Sequence, residues 1–155
     1  MQPNIISALE ASHLVLSLSE PDVGDNITNL KLQKLLYYLQ GYHLAYFNTP
    51  LFEEELVKWQ YGPVVAEVYH SFKQHGPQPI PKSKAINFEI LTEEQTALFL
   101  DVYKVMGQFS ALKLMDMTHT EKPFLSVDYS EVIPKEILKE YFTNFINKNE
   151  QNTTT

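Results

Sequence analysis

The segment ITNLKLQKLLYYLQGYHLAYF, residues 27–47, carries the longest helical pattern in the chain. Apolar and aromatic residues recur along one stripe of it, at Leu32, Leu35, Leu36, Leu39, Tyr42, His43 and Tyr46. Thr28 is placed to cap its N terminus, because a threonine hydroxyl accepts hydrogen bonds from free N–H groups of the first turn. The segment predicts the longest helix of the fold. Since His43 lies on the apolar stripe, it is predicted to be a hydrogen-bonded core residue.

The stretch WQYGPVVAEVYHSF, residues 59–72, concentrates aromatic residues at one tight corner. Residues 56–61 partly alternate between apolar and polar side chains, which predicts a short strand. Gly62 permits an unusual backbone angle, and Pro63 suits the first position of a helix, where its missing N–H would be unpaired anyway. A helical stripe follows at Val65, Val68, Tyr69 and Phe72. The stretch therefore predicts a strand–turn–helix joint.

Four further segments carry helical signals. They are an amphipathic pattern over Ile5, Ile6, Leu9, Ser12, His13 and Leu16, a capping box at Thr92 and Gln95, a short helix capped by Ser110, and a last helix opened by Pro134. The segment AINFEI predicts a second strand that pairs with the first. The fold class is thus mainly α (α+β), a compact single domain of about six helices with a small antiparallel β-hairpin. We expect this domain to span residues 1–147, followed by a flexible polar tail, residues 148–155.

Composition limits the partners that the chain is expected to have. Its 155 residues are 44% hydrophobic and 20% charged, which is typical of one folded domain. The formal net charge of -7 gives no general attraction for phosphate backbones, so a basic protein is a better expected partner than nucleic acid. The chain has no cysteine, and we find neither a signal peptide nor a membrane span in it. These features predict a cytoplasmic protein without disulfides or thiolate metal sites.

Motifs for catalysis or cofactor binding are missing from the sequence. None of the five histidines has the spacing of a metal site, and no glycine-rich phosphate loop or serine nucleophile motif occurs. The acidic run Glu53–Glu55 is typical of a solvated rim. We therefore predict no cofactor, no metal and no catalytic residue.

Three motifs occur together in order: a Leu-Gln-Lys-Leu helix, a Trp-x-Tyr-Gly-Pro-Val corner and a His-x-x-x-Pro loop. In wording and spacing the chain resembles, from about residue 27 to residue 142, the Panacea domain of the SocA-like antitoxins and of phage-associated proteins once called GepA. The matching residues are Leu32, Gln33, Lys34, Leu35, Tyr37, Trp59, Tyr61, Gly62, Pro63, Val64, Tyr69, His119, Glu121 and Pro123. The family often has tryptophan after the last proline, and Phe124 in its place lacks an indole donor.

The resemblance implies an antitoxin that neutralises a cognate protein toxin, encoded by the neighbouring gene, usually through direct binding. Some SocA-like members are instead described as adaptors that deliver the toxin to a protease. A toxin that acts on tRNA or nucleotides would be basic, which suits an acidic antitoxin. A small enzyme with a site around His119, Glu121 and the aromatic residues of the Trp-x-Tyr-Gly-Pro corner is the alternative from another class. The oligomeric state and the identity of the toxin stay open.

The motif residues allow two interpretations each. Either Trp59, Tyr61 and Tyr69 lock the strand–turn–helix joint, or Trp59 and Tyr61 form part of a partially exposed hot spot for the toxin. Gln33 and Lys34 either belong to a solvated helix face or hydrogen-bond into the corner or a partner. The candidate partner-binding or motif residues are Gln33, Lys34, Tyr37, Tyr38, Trp59, Tyr61, Gly62, Pro63, Tyr69, His119 and Pro123.

Overall fold

The computed structural model describes residues 2–84 and 86–153, with side chains up to residue 149. Within these residues the chain forms seven α-helices and one three-stranded antiparallel sheet. The helices are α1 (Ala8–Ser17), α2 (Asn29–Phe47), α3 (Ala66–Phe72), α4 (Glu93–Met106), α5 (Ala111–His119), α6 (Lys122–Leu125) and α7 (Lys135–Thr153). The strands are β1 (Leu56–Trp59), β2 (Gly62–Val64) and β3 (Val132–Ile133). The predicted class, mainly α with a small antiparallel β element, is confirmed.

Helix α2 is the centre of the fold. The Thr28 side chain accepts a hydrogen bond from the backbone N–H of Lys31, as predicted, and Asn48 ends the helix in the left-handed conformation, with φ of 65°. Helices α1, α3, α4, α5 and α7 and strand β2 all pack against α2. Because neighbours surround the helix, polar residues off its apolar stripe are buried together with the leucines.

The sheet has the order β2-β1-β3, with β1 in the middle. Strands β1 and β2 form a hairpin in which Trp59 pairs with Gly62 and Lys58 with Pro63, so the partner of β1 is not the predicted one. The prediction that Pro63 opens a helix is wrong, because Pro63 lies in β2 and α3 begins at Ala66. Since β2 is an edge strand, a residue without an N–H is tolerated there. The Gly62 backbone adopts φ of +114°, a conformation that favours glycine.

The segment AINFEI is not the second strand. Its described part contains a 3₁₀ turn at Phe88–Ile90, and the side chain of Asn87 accepts a hydrogen bond from the N–H of Glu89. Strand β1 is already paired on both edges, by β2 and by the two-residue strand β3. The predicted pairing therefore has no free edge to occupy.

The first helix begins later than its apolar pattern suggested. Ser7 and Glu10 form a capping box that places the start of α1 at Ala8. Ile5 and Leu9, assigned to the buried stripe, are 51% and 40% exposed. The residues that α1 buries are Ala8, Ala11, Ser12, Leu14, Val15 and Leu16. The cap therefore fixes which face of the helix meets the core.

Other local predictions are confirmed. Thr92 and Gln95 form the capping box of α4, and Ser110 caps α5. His43 is buried, with Nδ1 2.7 Å from the carbonyl oxygen of Thr49 and Nε2 2.9 Å from the Gln95 amide nitrogen. Burial lowers the pKa of His43, and its hydrogen bond to the Thr49 carbonyl opposes this shift.

The last helix crosses the expected domain boundary. Helix α7 continues to Thr153, so the backbone of residues 148–153 is helical and residue 147 does not mark the end of a helix. Among the described residues, no helix combines the length and the apolar character that a membrane span requires.

Candidate partner-binding site

Gln33 ties α2 to the strand–helix joint. Its side-chain oxygen accepts a hydrogen bond of 2.8 Å from the backbone N–H of Val65, and its amide nitrogen donates to Asn29. The Asn29 side chain in turn donates to the backbone carbonyl of Tyr69, at 3.0 Å. The solvated-face interpretation of Gln33 is therefore wrong, because both ends of its amide are engaged inside the protein.

Lys34 is also internal, with no exposed surface. Its Nζ donates to the backbone carbonyl of Pro63 at 3.1 Å, and no described carboxylate pairs with it. The side chain passes over Gly62, where an added Cβ would lie 2.5 Å from the lysine Cε and 3.1 Å from Oγ1 of Thr118. Burial lowers the pKa of Lys34 to about 7. The buried Lys34 amine of α2 thus binds the backbone of β2 directly.

We expect Lys34 to make the stability of the fold rise with pH. The unfolded lysine titrates near 10.5 and the folded one near 7, so the unfolded state binds more protons between these values. The free energy of unfolding should increase across this window, by up to about 1.4 kcal/mol per pH unit. Urea denaturation of wild type and Lys34→Met between pH 6 and 9 measures the effect, because methionine fills the space without a charge. Parallel pH curves for the two proteins would contradict it.

Tyr37 and Tyr38 converge on one carboxylate. Their hydroxyls donate to Oε1 and Oε2 of Glu121, each at 2.9 Å, and the two rings meet edge to face with centroids 4.9 Å apart. Burial raises the pKa of Glu121 to about 7, although the two hydroxyl hydrogen bonds oppose the shift. Burial and the nearby Glu121 charge raise the pKa of both tyrosines. Glu121 thereby links the start of α6 to the middle of α2.

Glu121 should have the opposite effect on stability from Lys34. Its carboxyl titrates near 4.5 when unfolded and near 7 when folded, so the folded state binds more protons between these values. Its contribution is fully present below pH 4.5 and is lost as the pH rises through 7. Glu121→Gln should remove this loss of stability. Denaturation of both proteins from pH 4 to 8 measures the difference in their free energies of unfolding. This difference should grow in favour of the variant as the pH rises. A constant difference would contradict the prediction.

The loop after α5 places His119 against Phe124. Their rings stack with centroids 4.6 Å apart, and the buried Nε2 of His119 has no hydrogen-bond partner among the described residues. Nζ of Lys58 lies 4.2 Å above the Phe124 ring and 4.8 Å from the Tyr129 ring. Pro123 is buried in the first turn of α6. His119 and Lys58 both contact the face of the Phe124 ring, and such contacts do not require the indole N–H that tryptophan would bring.

The aromatic corner, defined as Trp59, Tyr61 and Tyr69, has an inner and an outer part. Trp59 is half-buried and meets Tyr69 edge to face with centroids 5.0 Å apart. Tyr61 is 60% exposed. All three line a cavity of about 410 Å³ that also reaches Leu30 and Pro77. Trp59 and Tyr69 thus pack the joint, while Tyr61 stands at the surface above an apolar cavity.

The structure brings the three motifs together around the N-terminal half of α2. Three participants were not singled out from the sequence: Asn29, Lys58 and Thr118. Asn29 lies four residues before Gln33, a spacing at which helical side chains meet, so its role had a local signal. Lys58 had none, because its partners Phe124 and Tyr129 are far away in the chain. Among the described residues no group of three or more His, Asp or Glu side chains is arranged to hold a metal ion.

The sequence profile of the family described as "Antitoxin SocA-like, Panacea domain" matches residues 32–124, which include every candidate residue. The chain belongs to this family. It is similar to Antitoxin SocA from Caulobacter vibrioides (strain NA1000 / CB15N), with 33% identity over 128 residues that cover 76% of this chain and 67% of the relative. No solved structure matches the chain. In this Panacea domain the residues of the three family motifs pack against one another. They join α2 to the aromatic corner and to the α5–α6 loop.

Proposed function

We propose that this chain neutralises a cognate protein toxin, produced from the neighbouring gene in the same cytoplasm, by binding it directly. Membership of the SocA-like antitoxin family carries the proposal. The geometry supports binding rather than catalysis. The motif side chains make their polar contacts within the fold, which leaves these groups engaged rather than free to act on a substrate; they are Gln33, Lys34, Tyr37 and Tyr38. The domain then offers the toxin a shaped surface that a rigid joint holds in place.

The aromatic corner is the part of the motif best suited to contact the toxin. Tyr61 is largely exposed, and the cavity beneath it can receive an apolar side chain. Tyrosine and tryptophan beside such a cavity are typical of residues that dominate binding energy at interfaces. Tyr61→Ala should therefore weaken toxin binding while leaving the fold intact, since the side chain of Tyr61 projects outward.

Charge should accelerate the encounter with a basic toxin. The chain has a formal net charge of -7, and attraction between oppositely charged proteins raises the association rate in a way that salt screens. We expect the association rate constant, measured by stopped flow or surface plasmon resonance, to fall several-fold between about 50 and 300 mM salt while dissociation changes little. An association rate constant that does not change with salt concentration would remove electrostatic steering from the proposal.

Co-expression with the neighbouring gene product tests the function itself. Growth rescue, co-purification and the amount of toxin are scored together, with Tyr61→Ala as one variant. Rescue with a stable complex and an unchanged toxin level supports neutralisation by binding. Rescue with loss of the toxin supports the protease-adaptor alternative instead. If the neighbour is not toxic and no complex forms, the proposal is wrong.

The enzyme alternative has one observation in its favour. His119 has a buried Nε2 without a partner, and Glu121, two residues later, has a pKa raised by burial to about 7. Perturbed pairs of this kind occur at catalytic sites. However, both oxygens of Glu121 already accept hydrogen bonds from tyrosines. Full growth rescue by His119→Asn would exclude a catalytic role for this histidine.

A further inference from the structure

A second apolar depression lies at the other end of α2, between its C-terminal half and α4. We call it the α2–α4 groove; its volume is about 440 Å³, and its walls include Tyr42 and Tyr46 on α2 and Leu98 and Val105 on α4. Thirteen residues of helix separate Gln33 from Tyr46, a rise of about 20 Å. None of the candidate motif residues lines the groove. It is therefore a separate surface from the aromatic corner.

The groove exposes apolar side chains that are not buried in the core. Helix α4 buries Phe99, Val102 and Met106 against the rest of the domain. Val105, on the neighbouring stripe, is 50% exposed, and Tyr46 across the groove is 56% exposed. Apolar side chains that line one exposed concave surface mark an interaction site more often than scattered ones do. The shape and the composition of the groove both suit an apolar partner surface.

The rim of the groove is acidic. Glu94 and Asp101 lie seven residues apart on α4, about 10 Å along the axis, and both are exposed. Neither forms an ion pair with any described residue, and no lysine, arginine or histidine lines the groove. Two unpaired carboxylates beside an apolar floor select a partner that brings positive charge next to apolar side chains.

We infer that the α2–α4 groove receives an amphipathic helix of the toxin, whose apolar residues at i and i+4 enter between Tyr46 and Val105 while flanking Lys or Arg residues meet Glu94 and Asp101. From Glu94 to Val105 the α4 wall is about 16 Å long, enough for three turns of a docked helix. This inference rests on the proposed function and adds a second toxin-contacting surface to the aromatic corner. Because the motif residues lie elsewhere, the groove can determine which toxin is bound while the joint stays unchanged.

The first test reverses the charge of the rim. The double variant Glu94→Lys/Asp101→Lys is compared with Glu93→Lys/Glu136→Lys, which changes the net charge equally at exposed positions outside the groove. Glu93 shares the first turn of α4 with Glu94, so both doubles lose a favourable contact with the dipole of α4, and the control loses a second one because Glu136 lies in the first turn of α7. Binding is measured by calorimetry with the purified product of the neighbouring gene. We expect at least a 10-fold loss of affinity for the rim double and less than about 3-fold for the control.

The second test locates the contact directly. A photoreactive benzoylphenylalanine is placed at Val105 in the groove or, as the control, at Lys104 on the same helix turn but outside it. Crosslinking to the toxin from position 105 and not from position 104 supports the inference. Mass spectrometry should then identify a toxin peptide with apolar residues at helical spacing and adjacent Lys or Arg. Equal crosslinking from both positions would overturn it.

The outcomes separate the groove from the function. If wild type binds the toxin and the rim double binds equally well, the groove inference is wrong and the proposed function stands. If wild type forms no complex with the toxin, the proposed function fails and takes the groove inference with it. If Tyr46→Ala or the rim double abolishes self-association in analytical ultracentrifugation without changing toxin affinity, a second copy of the chain occupies the groove and the inference is overturned.

Discussion

Gly62→Ala is expected to lower the free energy of unfolding by about 3 kcal/mol. Two costs combine. The Gly62 backbone has φ of +114°, which strains any residue with a Cβ, and that Cβ would lie 2.5 Å from Cε of the buried Lys34. Lys34 cannot move aside without giving up its hydrogen bond to the Pro63 carbonyl inside the protein. Urea denaturation of both proteins measures the loss.

Gly24→Ala is the matched control for backbone strain. Gly24 also has a positive φ, +83°, but an added Cβ there meets nothing within 4 Å. Its cost should be only about 1 kcal/mol, the strain alone. In a Lys34→Ala background the cost of Gly62→Ala should fall towards that value, because the closer of the two side chains that the Cβ meets is gone and only Oγ1 of Thr118, at 3.1 Å, remains. Equal costs for the two glycine substitutions in wild type would show that Lys34 yields freely.

Gly41→Ala should have a comparable effect at the other face of α2. An added Cβ would overlap the ring of Phe142 from α7. That ring cannot retreat easily, because it packs against Tyr37, Tyr38 and Tyr42. We expect a loss of about 3 kcal/mol in the free energy of unfolding, even though alanine favours a helix by about 1 kcal/mol over glycine.

A smaller residue at position 142 supplies the control for this overlap. Phe142→Leu alone should destabilise the fold by roughly 1–3 kcal/mol, because it leaves part of a packed site empty. In that background Gly41→Ala should be nearly neutral or stabilising, since the space is free and only the gain in helix propensity remains. If Gly41→Ala costs the same in both backgrounds, the overlap with Phe142 is not the cause of the loss.

Local signals explain why much of the fold could be predicted. The Thr28 cap, the Thr92–Gln95 capping box and the long apolar stripe of α2 each act within a few residues, so their outcome can be read from the sequence. The strand and turn before Gly62 belong to the same kind of short-range information. One prediction that failed was the helix start at Pro63, a residue equally suited to an edge strand and to the first turn of a helix.

Distant side chains decided the conformation of that corner. Gln33 and Lys34, about thirty residues upstream, bond the N–H of Val65 and the carbonyl of Pro63 and so hold this stretch extended. The candidate site has the same origin. Tyr37 and Tyr38 reach Glu121 across more than eighty residues, a pairing that no periodicity encodes. The resemblance to a known family identified these residues as motif residues, whereas their contacts with one another are visible only in the folded structure.

The packing of α2 against α7 has a consequence for the order in which the protein matures during translation. The tyrosines of α2 leave the ribosome long before Phe142, which follows Phe47 by 95 residues and therefore by roughly 5–20 s at ordinary elongation rates. Until then one flank of the central helix has no cover and is open to chaperones and proteases. A chain released before residue 135 would keep this flank bare. Quality control would thus be able to distinguish an antitoxin with its last helix from a prematurely terminated one.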